Sequence, residues 1–332
     1  MKKFIKTAML LTAVAMLLGA FAGCSGDSKT EENKVLKIGV LQLVQHAALD
    51  AAYEGFVAGL AEKGFVDGEN IEIDYQNGSG DASICQSIAE GFVNDKKDLI
   101  LAIATNAAQA AVMKTQEIPI LFTAVTDPVD AGLVADMKVP GGNVSGTTDM
   151  NPVADQIQLV KTLVPDIQNM AILYSSGEVN STIQADMAEE AATALGFSSV
   201  HATVSKTDDI QQVVAAMAGQ VQAIYAPTDN TIASGMPTVS MVATENGIPV
   251  ICGEENMVHS GGLIAYGINY TDLGKQTGFM AARIFEGEDI SKMPVESLAT
   301  DLLSTTVNMV TANALNMTIP QDILDRATVI EE

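Results

Sequence analysis

Apolar segments of two kinds alternate along most of this chain, and this alternation constrains the fold more than any other feature. Val35 to Leu43 is rich in β-branched residues and predicts a buried strand, whereas Leu49 to Lys63 repeats apolar residues at the spacing of a helix face. The same order continues to about residue 125 and resumes over residues 171–252. Strands that alternate with helices form a parallel sheet covered on both faces. The sequence therefore predicts an α/β protein.

Short landmarks of the first half of the chain recur in the second half in the same order. The pair Gly-Phe stands at 64–65 and again at 196–197, and Ile-Pro stands at 118–119 and again at 248–249. At 332 residues the chain is also longer than one hydrophobic core usually organises. We therefore expect two doubly wound parallel-sheet domains, with a ligand cleft at the carboxyl ends of the strands of both sheets.

Residues 1–23 have the pattern of a lipoprotein signal peptide. Three lysines precede an uncharged apolar run that ends in Phe21-Ala-Gly before Cys24. We expect Cys24 to accept diacylglycerol and to become the new N-terminus, although bacterial lipoboxes usually carry an aliphatic residue at the position of Phe21. A transmembrane anchor is the alternative, but the run is only about as long as the shortest spanning helices. The composition of residues 24–34 predicts a flexible tether, which would hold the protein at the extracytoplasmic face of a bacterial membrane.

Composition excludes several classes of function. The formal net charge is -24, and it becomes -27 when the three signal lysines are removed, so nucleic acid is not an expected partner. No glycine-rich phosphate loop follows a predicted strand, and no Gly-x-Ser-x-Gly elbow indicates a hydrolase. The three histidines have no second imidazole or thiol at ligand spacing, so neither a metal nor a cofactor is expected. These histidines are His46, His201 and His259.

Polar residues follow the predicted strands at the ends that should face the cleft. Most of them also precede a predicted helix, so N-capping explains each single position without a ligand. Convergence of six such loops on one cleft favours a binding site. The candidate ligand-binding residues are Gln42, His46, Leu49, Thr105, Asn106, Ala107, Thr126, Asp127, Asn180, Ser181, Thr228, Asp229, Glu254 and Tyr266.

Five segments of the chain resemble the substrate-binding lipoproteins of ABC importers. The resemblance is narrower to the branch associated with tryptophan and tyrosine uptake, and it extends from Val35 to about Ile330. The segments are Leu36–Gln42, Ala104–Ala111, Phe122–Val129, Pro140–Gly146 and Ala226–Asn230.

This resemblance implies a type I periplasmic-binding-protein fold, in which three crossover strands join two domains that close on a ligand. It places residues 35–148 and 269–289 in the N-terminal domain, and residues 149–268 and 290–332 in the C-terminal domain. It further implies a monomer without enzymatic activity, which captures an aromatic amino acid and delivers it to a membrane permease and its ATPase.

A bound amino acid needs donors for its carboxylate and acceptors for its ammonium group. The helix that begins at Thr105 to Ala107 is expected to supply donors, together with Asn180 and Ser181 of the other domain. The expected acceptors are Asp229 and Thr126, followed by Glu254. Selectivity for the side chain is assigned to His46, Leu49, Tyr225, Met257 and Tyr266, for which ordinary packing is the alternative.

Two other functions stay open at this point. The first is a domain that senses a ligand for a membrane receptor, since the same closed form would serve transport and sensing. The second is an amino-acid racemase, in which the thiols of Cys85 and Cys252 would shuttle a proton from opposite faces of the ligand. Branched-chain amino acids, a small peptide or a purine-like heterocycle also fit a cleft of this kind.

Overall fold

The computed structural model of the protein describes residues 34–331. The predicted signal peptide, Cys24 and the tether up to residue 33 lie outside the described residues. The strands are Leu36–Gln42 (β1), Ile71–Asn77 (β2), Leu99–Ile103 (β3), Ile120–Val125 (β4), Val144–Thr148 (β5), Asn169–Ser175 (β6), Ser198–Val204 (β7), Ala223–Ala226 (β8), Val250–Cys252 (β9), Ile264–Gly267 (β10), Glu296–Ser297 (β11), Ser304–Asn308 (β12) and Ala327–Ile330 (β13).

Helices alternate with these strands. They are Ala47–Glu62 (α1), Ala82–Asn94 (α2), Thr105–Val112 (α3), Val153–Leu163 (α4), Val179–Ala194 (α5), Ile210–Ala216 (α6), Asn230–Ser234 (α7), Met236–Glu245 (α8), Glu255–His259 (α9), Tyr270–Phe285 (α10), Met309–Ala314 (α11) and Gln321–Leu324 (α12). No helix within residues 34–331 is both long and apolar enough to cross a membrane.

The strands form two sheets. The first has the order β11-β5-β4-β3-β1-β2 and is parallel throughout. The second has the order β13-β12-β10-β9-β8-β6-β7, and its one antiparallel pair is β10 with β12. The central strands β3, β4 and β8 are buried along their whole length, as expected for sheets with helices on both faces. The predicted α/β architecture with two parallel sheets is confirmed.

The chain passes between the two sheets three times, after β5, after β10 and after β11. The return segment that adds to the first sheet runs past residue 289, because Glu296 and Ser297 pair with Thr147 and Thr148 of β5. It is longer than the segment 269–289 expected from the sequence.

Helix α10 lies directly against α1 beside the first sheet, and glycines permit this close approach. A Cβ atom on Gly274 would lie 1.9 Å from the carbonyl oxygen of Ala52, and one on Gly55 would lie 2.0 Å from the carbonyl oxygen of Thr271. Any larger residue at either position would force the two helix backbones apart. This contact fixes the start of α10, where Tyr270 lies, relative to β4 and β5.

Candidate functional site

A cavity lies where the carboxyl ends of strands from both sheets meet. About 320 Å³ of the space in it is free of protein atoms, including open solvent at its mouth. Its lining comes from the loops after β1, β4, β5, β6, β8, β9 and β10. The lining residues are His46, Ala48, Leu49, Ala124, Thr126, Asp149, Asn180, Thr228, Asp229, Asn230, Ala233, Glu254, Met257 and Tyr270.

Three carboxyl groups line this cavity, and no lysine or arginine is among its lining residues. Asp149 is 3% exposed, and Asp229 and Glu254 are each 2% exposed. Buried carboxylates without a cation are unfavourable, so such groups hold protons more tightly or require a positively charged partner. Burial is the main cause that raises the pKa of Glu254 to about 7. Burial also raises the pKa of Asp149.

Asp149 is held by two hydroxyl groups from different parts of the chain. Thr126 Oγ1 donates to its Oδ1 at 3.0 Å, and the Tyr270 hydroxyl donates to its Oδ2 at 2.5 Å. Asp149 follows β5 at the first passage between the sheets, whereas Tyr270 opens α10 after the second passage. The carboxyl group therefore links two of the three connections between the sheets and at the same time lines the cavity.

Asp229 and Glu254 instead cap the short helices α7 and α9. Asp229 Oδ1 accepts from the backbone amide of Ile232 at 2.7 Å, and its Oδ2 accepts from the amide of Ser175 at 2.6 Å. Glu254 accepts from the amides of Met257 and Asn256 at 2.9 and 2.6 Å. Capping explains both positions without a ligand. The expected role of Asp229 and Glu254 as ammonium acceptors stays a prediction.

Glu178 lies outside the cavity lining and holds the loop after β8, whose residue Asn230 does line the cavity. Glu178 accepts from the backbone amide and side chain of Asn230 at 3.2 and 2.5 Å, and from the amide and hydroxyl of Thr231 at 3.0 and 2.9 Å. Burial, followed by the charge of Glu178, raises the pKa of the nearby Asp229 carboxyl. Glu178 was not among the residues predicted from the sequence, and the structure places it directly before α5.

His46 bridges the two halves of the protein. Its Nε2 lies 3.1 Å from Asn230 Oδ1, so a loop after β1 of the first sheet contacts a loop after β8 of the second. Burial lowers the pKa of His46, which favours the neutral imidazole. A second contact of this kind joins Asn106 Nδ2 to the carbonyl oxygen of Gly177 at 3.5 Å. Hydrogen bonds at two places thus join one half of the protein to the other.

Asn180 carries an acceptor that lacks a partner within the described part of the chain. Its Nδ2 donates to Ser181 Oγ and to the carbonyl oxygen of Thr228, both at 3.2 Å, while its buried Oδ1 has no hydrogen bond. A buried acceptor without a partner is unfavourable unless a ligand or water satisfies it. Because Asn180 lines the cavity, its Oδ1 is available to a donor placed there.

The cavity brings together only part of the predicted set. Thr105 and Ala107 are buried at the start of α3, and Ser181 hydrogen-bonds Asp229 from behind the lining. The residues of the set that line the cavity are His46, Leu49, Thr126, Asn180, Thr228, Asp229 and Glu254. Those outside its lining are Gln42, Thr105, Asn106, Ala107, Asp127, Ser181 and Tyr266.

The polar candidate residues that lie outside the cavity lining make hydrogen bonds to nearby parts of the chain instead. Gln42 Nε2 donates to the carbonyl oxygen of Val44 and to Asp50 within the first half. Asp127 accepts from two backbone amides of the turn that follows it. Tyr266 borders a separate surface cavity beside α12, and Tyr225 is a core residue whose hydroxyl donates to Gln156. Met257, expected to contribute to selectivity, does line the site.

Two alanines beside the cleft have an unusual backbone. Ala104 has a φ of 83° directly before α3, and Ala124 has a φ of 55° at the end of β4, where the register with β5 shifts. Residues with a Cβ atom rarely adopt a positive φ, and such strain concentrates at functional sites. Ala124 itself and Thr126, two residues further along the chain, both line the cavity.

The family of ABC transporter substrate-binding proteins matches residues 37–330. The chain belongs to this family. It is 42% identical to a tyrosine-binding protein of Clostridioides difficile over 326 residues, which are 96% of this chain and 94% of the relative. The resemblance inferred from the five sequence segments is confirmed, and the family consists of binding proteins rather than enzymes.

Solved structures of relatives show the same fold. They also indicate whether the two halves of this protein are arranged as in a ligand-bound or an open form. A Streptococcus pneumoniae ABC domain in complex with L-Trp is 37% identical with a TM-score of 0.86, over 90% of this chain and 100% of that chain. The ligand-free, open structure of a Clostridium difficile substrate-binding protein is 45% identical with a TM-score of only 0.69, over 90% of this chain and 99% of that chain. The more similar sequence gives the less similar structure, so the arrangement of the two sheets here resembles the ligand-bound form.

The fold also occurs among distant binding proteins. A leucine-binding protein of Thermotoga maritima is 16% identical, with a TM-score of 0.60 over 76% of this chain and 83% of that chain. At this identity the likeness shows the fold alone. It confirms the predicted type I periplasmic-binding-protein fold with two α/β halves.

The two described cysteines do not lie at the site. Cys85 and Cys252 are buried, and neither lines the cavity. Burial raises the pKa of Cys85 to about 11 and raises that of Cys252 as well. A thiol that shuttles protons needs a lowered pKa and access to the ligand. Their placement offers no support for the racemase considered from the sequence.

Proposed function

We propose that this protein is the extracytoplasmic binding protein of an ABC importer, that it captures an aromatic amino acid, and that it delivers the amino acid to a membrane permease. It acts as a monomer, tethered to the membrane through lipid on Cys24. Its two halves close on the ligand about the three chain passages between the sheets.

One observation carries the proposal: three buried carboxyl groups line a cavity that has no lysine or arginine in its lining. Such a cavity favours a ligand with a cationic group, because an ammonium group compensates carboxylates that water cannot solvate. Of the three acids, Asp149 is our choice for the ammonium partner. Its hydrogen bonds come from hydroxyl groups, whereas Asp229 and Glu254 are engaged by backbone amides.

The rest of the lining suits an aromatic side chain. Leu49 and Met257 provide flexible apolar surface, and Tyr270 and His46 provide rings against which another ring can pack. The lining also includes Ala48, Ala124 and Ala233, whose small side chains leave room between the two sheets. Tyrosine and tryptophan, the ligands named for two relatives, are therefore our proposed substrates.

Addition of tyrosine or tryptophan should raise the melting temperature of the purified protein in a saturable manner. A ligand that binds only the folded state stabilises it by RT ln(1 + [L]/Kd), which is about 2.7 kcal/mol at a hundredfold excess over Kd. Thermal unfolding with and without each amino acid measures this effect. Glycine and glutamate should cause little change, because neither fills the apolar part of the cavity.

A tyrosine analogue that lacks the amino group serves as the matched ligand control. It keeps the ring and the carboxylate, so only the proposed ammonium contact is lost. Equal stabilisation by tyrosine and by this analogue would contradict a cavity selected for a cationic group. Equal stabilisation by all amino acids would contradict aromatic specificity while leaving a binding function intact.

Replacement of Cys24 with alanine should release the protein from the membrane without unfolding it. The lipid on Cys24 is the proposed anchor, and residues 25–34 contain no apolar side chain that could contribute to a core. Fractionation of cells that express Cys24→Ala, with Cys85→Ala as the control, measures the distribution. Membrane retention of Cys24→Ala equal to that of the control would show that the anchor is elsewhere.

A further inference from the structure

Three side chains that can bind metal converge on the surface of the second half, away from the ligand cavity. Asp186 and Glu189 lie about one turn apart on α5, and His201 lies on β7, the edge strand that α5 covers. One ligand atom from each residue lies within 4.8 Å of the other two. Within residues 34–331, no other group of three histidine, cysteine or acidic side chains meets this geometry.

The spacing of two of these atoms matches a metal site. His201 Nε2 lies 3.3 Å from Glu189 Oε2. Two ligands of a tetrahedral zinc ion, each bonded at about 2.0 to 2.2 Å, lie roughly 3.3 Å apart. Asp186 and Glu189 are exposed, so their side chains can rotate toward a shared ion without disturbing the core.

A buried tyrosine orients the histidine from behind. The Tyr174 hydroxyl lies 2.9 Å from His201 Nδ1, and the two rings meet edge to face at 76°. This contact directs Nε2 toward the carboxylates, in the way that outer partners orient the histidine ligands of metals.

We propose that Asp186, Glu189 and His201 bind a divalent transition-metal ion such as Zn²⁺, with water in the remaining position. Imidazole and carboxylate are ligands that suit this class of ion, and the negative charge of the protein attracts cations. The metal takes the lone pair of Nε2. The imidazole proton then resides on Nδ1, where the oxygen of Tyr174 accepts it.

Titration of the purified protein with ZnCl₂ by calorimetry, in a buffer that does not chelate zinc, tests this site. We expect one ion to bind saturably, and His201→Gln and Glu189→Gln each to weaken that binding at least tenfold. Tyr174→Phe, which removes only the orienting hydroxyl, should weaken it by about tenfold. Co²⁺ should give visible absorption bands that are lost in His201→Gln.

Two matched variants control for binding elsewhere on the acidic surface. Glu190→Gln changes the neighbour of Glu189 on the same helix, and His259→Gln changes the other exposed histidine, and neither residue belongs to the group. Both should bind zinc like the parent. Absence of saturable binding in the parent, or affinity unchanged by His201→Gln and Glu189→Gln, would overturn the proposal. Circular dichroism melting of every variant establishes that it is folded.

Discussion

Asp149→Asn should weaken the binding of tyrosine or tryptophan by about thirtyfold to a thousandfold. Loss of a charge-assisted hydrogen bond to a buried ammonium group costs on the order of 2 to 4 kcal/mol. The fold should survive, because both partners of Asp149 are hydroxyl groups. A hydroxyl can rotate to accept from the amide nitrogen of asparagine as readily as it donates to an oxygen. Calorimetric titration measures the change in Kd.

Asp127→Asn provides the matched control for this variant. Asp127 follows the same strand as Thr126, but its carboxylate accepts from two turn amides outside the cavity lining. Asparagine fulfils that role nearly as well, so Asp127→Asn should bind with unchanged affinity. An Asp149→Asn protein with Kd within threefold of the parent would show that Asp149 does not hold the ammonium group.

The pH dependence of binding gives a second readout for Asp149. Burial raises the pKa of this carboxyl in the free protein, and an ammonium ligand favours its ionised form. Binding should therefore release protons, and affinity should rise as the pH increases through the raised pKa of this carboxyl. Part of this dependence should disappear in Asp149→Asn, and the remainder belongs to the other acids of the lining, such as Glu254, whose pKa is about 7.

Asp229→Ala should lower the free energy of unfolding by about 2 to 3 kcal/mol. Loss of the cap on α7 costs about 1 kcal/mol, and the buried amide of Ser175 loses its partner at a cost of about 1 to 3 kcal/mol. Relief of repulsion between Asp229 and Glu178 offsets part of this sum. Asparagine is no full substitute, because its amide nitrogen cannot accept from the second backbone N–H.

Asp81→Ala is the matched control for stability. Asp81 caps α2 through the amides of Ser83 and Ile84 at an exposed position, so its loss should cost only about 1 kcal/mol. Chemical unfolding of both variants without ligand compares them directly. Equal destabilisation by Asp229→Ala and Asp81→Ala would show that the bond to Ser175 contributes nothing. The affinity of Asp229→Asn for tyrosine then shows separately whether Asp229 also contacts the ligand.

The sequence by itself determined the α/β architecture and the edge of the sheets where the cavity lies. Buried strands such as Leu99–Ile103 are recognisable because both faces of a parallel sheet exclude water, which leaves an uninterrupted apolar run. Thr228 and Asp229 were found for a similar reason. A polar residue directly after such a strand must lie at its carboxyl end, and in a parallel sheet all these ends share one edge.

Tertiary structure alone decided which polar residues share the cavity. Asp149 stands at the predicted boundary between the domains and was not among the predicted site residues. Its partner Tyr270 lies 121 residues away in the sequence and meets it only after the chain has passed twice between the sheets. Tyr266 also follows the expected pattern, yet it borders a separate surface cavity beside α12. Successive strand residues point to opposite faces, and local sequence does not specify which face meets the other half of the protein. Tyr270 is the first residue of α10, so the packing of α10 on α1 fixes its position, and its hydrogen bond holds Asp149 at the cavity.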